Sequence, residues 1–122
     1  MDKDSLTEAI IAAAIEVHRI LGPGLLESIY EDALVVELRL RGIQVERQVA
    51  VDVDYKGQIL KGMRVDLLVD NEVVVELKAV ARSPETATAQ VLSYLRFTRL
   101  KRGLLLNFGL PRLIDGVKRI SL

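Results

Sequence analysis

Three charged residues stand where apolar ones are expected. The run Val73-Val74-Val75-Glu76-Leu77-Lys78-Ala79-Val80 is apolar except at Glu76 and Lys78, and Asp66 interrupts Val65-Asp66-Leu67-Leu68-Val69 just upstream. Residues two apart on a strand share a face, so Glu76 and Lys78 point the same way. Under a covering helix both would be largely desolvated, and an isolated buried charge costs several kcal/mol or more, so each needs a partner or a metal. If the segments around Asp70-Asn71 pair as a hairpin, register brings Asp66 near Glu76. Two neighbouring carboxylates repel and hold each other's pKa up unless a cation bridges them. Oxygen ligands of this kind suit Mg²⁺ or Mn²⁺. A lysine beside such an ion can orient or deprotonate a water, or stabilise a phosphate. A buried Glu76–Lys78 ion pair, or an edge strand with its polar face in water, would account for the same spacing.

The elements that must position these residues follow from periodicity. Ser5, with Glu8 three residues on, reads as a capping box, and Ile10, Ile11, Ala14, Ile15, Val17 and Leu21 recur at helical spacing. Gly22-Pro23-Gly24 ends that helix. A second spans about residues 26–41 and stops at Gly42. The period then changes to strand-like over 43–55, with Ile43, Val45, Arg47 and Val49 on one face. Lys56-Gly57 marks a turn, a second strand covers about 59–69, Asp70-Asn71 turns again, and a third covers 72–80. The third is almost continuously apolar, as suits burial on both faces. Ser83 or Thr86 caps a helix running to about residue 100, with Pro84 tolerated in its first turn. Strands over 104–108 and 112–120 complete the order. This reads as one α/β domain over residues 1–122, helices packed on a sheet.

Composition narrows the function classes. There is no cysteine, which excludes disulfides, thiolate metal sites and cysteine nucleophiles. No apolar run approaches the ~20 residues that span a bilayer, and the opening Met1-Asp2-Lys3-Asp4 is unlike a signal peptide. A cytoplasmic protein without membrane contact is the expectation. The 17 basic and 17 acidic residues balance, which argues against constitutive, tight nucleic-acid binding. Their distribution is uneven: eight acids oppose Lys3 and Arg19 over residues 1–37, and seven bases oppose Asp115 over 96–122. A phosphate backbone over the C-terminal part is one consequence, and charges that simply mix in three dimensions are the other.

Asp66, nine intervening residues, then Glu76-Leu77-Lys78 resembles the PD-(D/E)XK nuclease motif, with Val65-Asp66 in place of Pro-Asp. Gly24-Leu25-Leu26-Glu27-Ser28-Ile29-Tyr30 matches the signature that names the GxxExxY protein family within that superfamily. Leu21-Gly22-Pro23-Gly24, Ala89-Gln90, Ser93-Tyr94-Leu95 and Gly103-Leu104-Leu105-Leu106-Asn107-Phe108 extend the similarity over most of the chain. The resemblance implies a restriction-endonuclease-like αβββαβ core, a central mixed sheet flanked by helices. It implies metal binding by Asp66, Glu76, Glu27 and the Leu77 carbonyl, and catalytic work by Lys78 and Glu27 with help from Gln90 and Tyr94. Glu27 has a simpler role available at the positive end of its helix, and Gln90 and Tyr94 as surface and core residues. Tyr30 reads as a packing residue with a satisfied hydroxyl, and His18 as a helix-end residue rather than a ligand. Relatives often carry a histidine three residues before the glutamine, where this chain has Ala87.

The implied activity is Mg²⁺- or Mn²⁺-dependent hydrolysis of phosphodiester bonds, in DNA. A catalytically inactive module binding nucleic acid or a protein partner, and a subunit whose groove completes on homodimerisation, are the alternatives. With five aromatic residues and no base-reading motif, sequence-specific recognition is not expected.

Overall fold

The computed structural model describes residues 3–122; Met1 and Asp2, where the acidic opening begins, lie outside them. Helices α1 (Lys3–Leu21) and α2 (Glu27–Leu40) precede strands β1 (Val45–Tyr55), β2 (Gln58–Val69) and β3 (Val73–Lys78). Helix α3 (Thr86–Thr98), β4 (Arg102–Asn107), a 3₁₀ turn (Leu113–Gly116) and β5 (Val117–Ser121) follow. The sheet order is β1-β2-β3-β4-β5. All neighbours are antiparallel except β3 and β4, which run parallel and are joined through α3. The expected mixed sheet flanked by helices is what forms.

The sheet carries helices on both faces. Leu6, Ile10 and Val17 of α1 and Leu34 and Leu38 of α2 pack on Val73, Val75 and Leu77 of β3. Val91 and Leu95 of α3 pack on Val74 and Leu105 from the other side. β3 is therefore apolar at successive positions because both of its faces are covered.

Several boundaries differ from the sequence reading. α1 begins at Lys3, so Ser5 sits inside the helix and not at its cap. β3 ends at Lys78 instead of Val80 because Asn107 takes over the backbone of Val80: its Nδ2 donates to Val80 O at 3.0 Å, and Val80 N donates to its Oδ1 at 3.1 Å. β4 starts at Arg102, in register with Val73. Only the last part of the 112–120 segment is strand.

The Gly22-Pro23-Gly24 turn does end α1, with φ of +71° at Gly22 and +103° at Gly24. Tyr30, fully buried, holds that turn. Its hydroxyl donates to Gly22 O and accepts from Leu25 N at 3.1 Å, while its ring stacks on Phe108 at 4.7 Å. The packing role expected for Tyr30 is the one it has. Tyr30→Phe is expected to lower stability by about 1–2 kcal/mol in urea denaturation, because two backbone groups lose their partner. An unchanged midpoint would show the turn holds without the hydroxyl. His18 is structural too: its Nε2 bonds Leu110 O at 2.9 Å and the residue is buried.

Candidate active site

β3 places Glu76 and Lys78 on the face under α3, as the two-residue period requires. Glu76 is 4% exposed. Lys78 is half-buried, and its Nζ lies 3.2 Å from Glu76 Oε2. The other carboxylate oxygen, Oε1, is buried without a hydrogen-bond partner among the described residues. Burial pushes the Glu76 carboxyl up to about 7; the Asp66 charge adds to this and Lys78 opposes it.

Asp66 reaches Glu76 because the β2–β3 ladder stops short. Leu67, Leu68 and Val69 pair with Val75, Val74 and Val73, and the next position, Asp66 against Glu76, is unpaired. There Asp66 Oδ2 accepts from Leu77 N at 2.9 Å, a side chain standing in for the missing strand partner. The β1–β2 ladder likewise skips Gln48 against Asp66. Gln48 has φ of +48°, uncommon for a residue with a Cβ. Across this irregularity the facing of both strands reverses: Val45 and Leu67 join the core under α1 and α2, Val49 and Val65 the one under α3. The single face expected for Val45, Arg47 and Val49 is thus broken at Gln48.

α2 supplies the carboxylates on the opposite side. Glu27 is its first residue. Although Glu27 is exposed overall, partial desolvation first, then the Asp66 charge, raises its carboxyl, with Lys78 opposing and Glu31 adding. Glu31, one turn on, is buried. Its Oε1 accepts from Gln48 Nε2 at 2.8 Å and its Oε2 from Arg47 at 2.9 Å. Arg47 also pairs with Asp32. Gln48 Nε2 lies 3.4 Å from Asp66 Oδ1, so one amide spans Glu31 and Asp66. From α3, Gln90 Nε2 donates to Tyr94 Oη at 2.8 Å. Burial raises the Tyr94 hydroxyl pKa, as do the charges of Glu76 and Asp66, while the Gln90 bond lowers it. Ala87 is buried against the same helix face.

Glu27, Asp66, Glu76, Lys78 and Tyr94 thus influence one another electrostatically, and Gln90 joins through Tyr94. Among the described residues, no three His, Asp or Glu side chains stand ready as a complete ion-binding set. The donors that face one another most directly are Asp66 and Glu76, hard oxygen ligands, one of them with an unpartnered buried oxygen. That donor set fits Mg²⁺ or Mn²⁺.

A sequence model of the PD-(D/E)XK nuclease superfamily matches residues 4–120. The chain belongs to this superfamily. The crystal structure of SSO0001 shares the fold at a TM-score of 0.52 and 15% identity, covering 95% of this chain and 76% of that one. No curated protein matches.

In this PD-(D/E)XK protein the sequence reading missed Glu31, Arg47 and Gln48. The available signal was Arg47 standing in an apolar phase of β1. The basic C-terminal residues are spread over the fold: Lys118 of β5 pairs with Leu105, which is level with Glu76, whereas others lie far from the site. Arg102 is in register with Val73 and Asn107 with Lys78, so Arg99, Lys101 and Arg102 sit at the far end of β3, roughly 16 Å away at about 3.3 Å per residue. No helix among the described residues is long and apolar enough to cross a membrane.

Proposed function

We propose that this chain is a metal-dependent nuclease of the GxxExxY family that hydrolyses phosphodiester bonds in DNA and works in the cytoplasm. The observation carrying this reading is Glu76: a buried carboxylate with one oxygen on Lys78, the other unpartnered, and Asp66 beside it. A fold maintaining such a group without need would lose stability, since replacing it with an apolar residue removes the desolvation penalty. Asp66, Glu76 and the Leu77 carbonyl are the groups that would hold Mg²⁺ or Mn²⁺, with Glu27 closing the open side. The bound ion would supply charge neutralisation at the scissile phosphate and a more acidic water. Lys78 orients that water or holds a phosphate oxygen, and Tyr94 with Gln90 lines the α3 side.

Calorimetric titration with Mg²⁺ and Mn²⁺ tests the first half of this reading. Wild type is expected to bind at millimolar concentration or below, and Asp66→Asn, which keeps an acceptor for Leu77 N–H, to bind at least about tenfold more weakly. Absence of binding by wild type would sink the catalytic reading. The far-end placement of Arg99, Lys101 and Arg102 favours the second reading, an inactive module that binds nucleic acid or protein through that end.

Gln48 is a positioning residue in this scheme. Gln48→Gly suits the left-handed backbone but removes the amide between Glu31 and Asp66. Stability is expected to stay within about 1 kcal/mol, as the relieved strain offsets the lost bonds. The metal affinity and its pH dependence should change, because Asp66 and Glu31 lose the donor between them. Identical pH profiles would remove Gln48 from the scheme.

A further inference from the structure

The outward side of α2 is apolar, and of its row only the partly buried Ala33 also touches the core. Leu26, Ile29, Ala33, Val36 and Leu40 recur at alternating intervals of three and four, the heptad spacing of helices that pair along a seam. Leu26 is 74% exposed, Val36 58% and Leu40 78%, and Ile29 is exposed as well. Leu34, Val35 and Leu38 already fill the core side of the same helix. The other helices carry no such row: α1 exposes Ile15 and Ile20 singly among Ser5, Glu8, Ala12 and Arg19, and α3 exposes Ser93 and Arg96. Scattered exposed leucines are ordinary, but a continuous row along one helix marks a contact surface.

We propose that this stripe is the interface of a homodimer in which α2 pairs antiparallel with α2 of a second copy. Flanking charges select the occupant and its direction. With Ile29 opposite Leu40 and Ala33 opposite Val36, the heptad geometry sets Asp32 of each chain beside Arg39 of the other, twice by two-fold symmetry. Parallel pairing would instead set Asp32 beside Glu37, two like charges. The carboxylate of Asp32 bonds Arg47 through Oδ1, which leaves its second oxygen for Arg39. Ala33, the one small residue of the row, lies beside the symmetry axis, where the helices approach most closely. A single pair of fourteen-residue helices forms a small interface, so the dissociation constant is expected to be roughly micromolar. Glu27 begins α2, so the two candidate sites would lie at opposite ends of the pair, roughly 22 Å apart along the helix axis. The surface exists whether or not the site cuts.

Sedimentation equilibrium of the full chain from low to several hundred micromolar tests the proposal, with circular dichroism to check folding. Wild type is expected to move from monomer to dimer, and Val36→Glu/Leu40→Glu, at exposed positions, to stay folded and monomeric. Arg39→Asp sets two like pairs across the axis and is expected to weaken association about tenfold. Adding Asp32→Asn, which retains an acceptor for Arg47, removes that repulsion and should recover most of the loss. Wild type that is monomeric throughout overturns the proposal. So does a dimer indifferent to Val36→Glu/Leu40→Glu, or a loss in Arg39→Asp that Asp32→Asn does not recover. Stripe-dependent co-sedimentation of a monomer with phosphatidylglycerol vesicles would also overturn it, assigning the row to a membrane surface.

Discussion

Glu76→Gln is expected to stabilise the metal-free protein at pH 8 by about 2–3 kcal/mol while abolishing its metal affinity. The carboxyl is 4% exposed and sits at about 7 instead of the ordinary 4.5, chiefly through burial. A raised carboxyl pKa means that the folded state holds its proton after the unfolded chain has released one. Stability from this group is therefore complete below about pH 4.5 and is lost as pH rises through about 7. Glutamine has no proton to lose, so the variant should show a flat profile across that window, and the two curves should separate from about pH 5 upward. Urea denaturation at half-unit intervals, with chelator present, measures this. Adding Mg²⁺ or Mn²⁺ should narrow the gap by stabilising the wild type alone, since a ligand of the native state adds stability by mass action. Equal wild-type stability at about pH 5 and pH 8 would mean that Glu76 carries no such strain.

That strain was partly legible in the sequence. A strand with apolar residues at both phases announces burial on two faces, and the charges at Glu76 and Lys78 then mark a desolvated pair. The Asp70-Asn71 turn gave the register that brings Asp66 alongside. Gly22 and Gly42 stopped the helices where a left-handed residue was required. The interruption of both ladders at Gln48 and Asp66 was not legible. It depends on a positive φ at a glutamine, a residue with no preference for that conformation, and it is sustained by bonds from Asp66 to Leu77 N–H and from Gln48 to Glu31, far apart in sequence. Strand alternation assumes an unbroken pleat, so it put Val45 and Val49 on one face. Charge counts along the chain could not place the C-terminal bases for a related reason. Lys101 and Arg102 fall where β4 begins, and a parallel strand begins at the end of the sheet opposite the one where β3 delivers Lys78, whereas Lys118 on β5 comes level with Glu76.

Lys78→Ala is expected to lower DNA cleavage by about 10²–10⁴-fold, the range for losing one positioned proton-transfer or charge-stabilising group. Lys78 donates from within reach of Glu76 and is the cation paired with it. Removal has two effects that separate by measurement. The first is catalytic: single-turnover rates with Mg²⁺ or Mn²⁺ fall while DNA affinity, carried by other phosphate contacts, changes little. The second is electrostatic: Lys78 now opposes the upward shift of Glu76, so without it the Glu76 carboxyl rises further and the loss of stability with pH extends to higher pH. The inactive-module reading shares the second effect but not the first. A protein whose cleavage is equally weak in wild type and in Lys78→Ala would be a binding module, with Glu76–Lys78 retained as a buried pair. Lys78→Met keeps the aliphatic stem and removes only the charge. If it restores stability lost in Lys78→Ala but not the rate, packing and chemistry at this position are distinct, and the ammonium group is what the reaction uses.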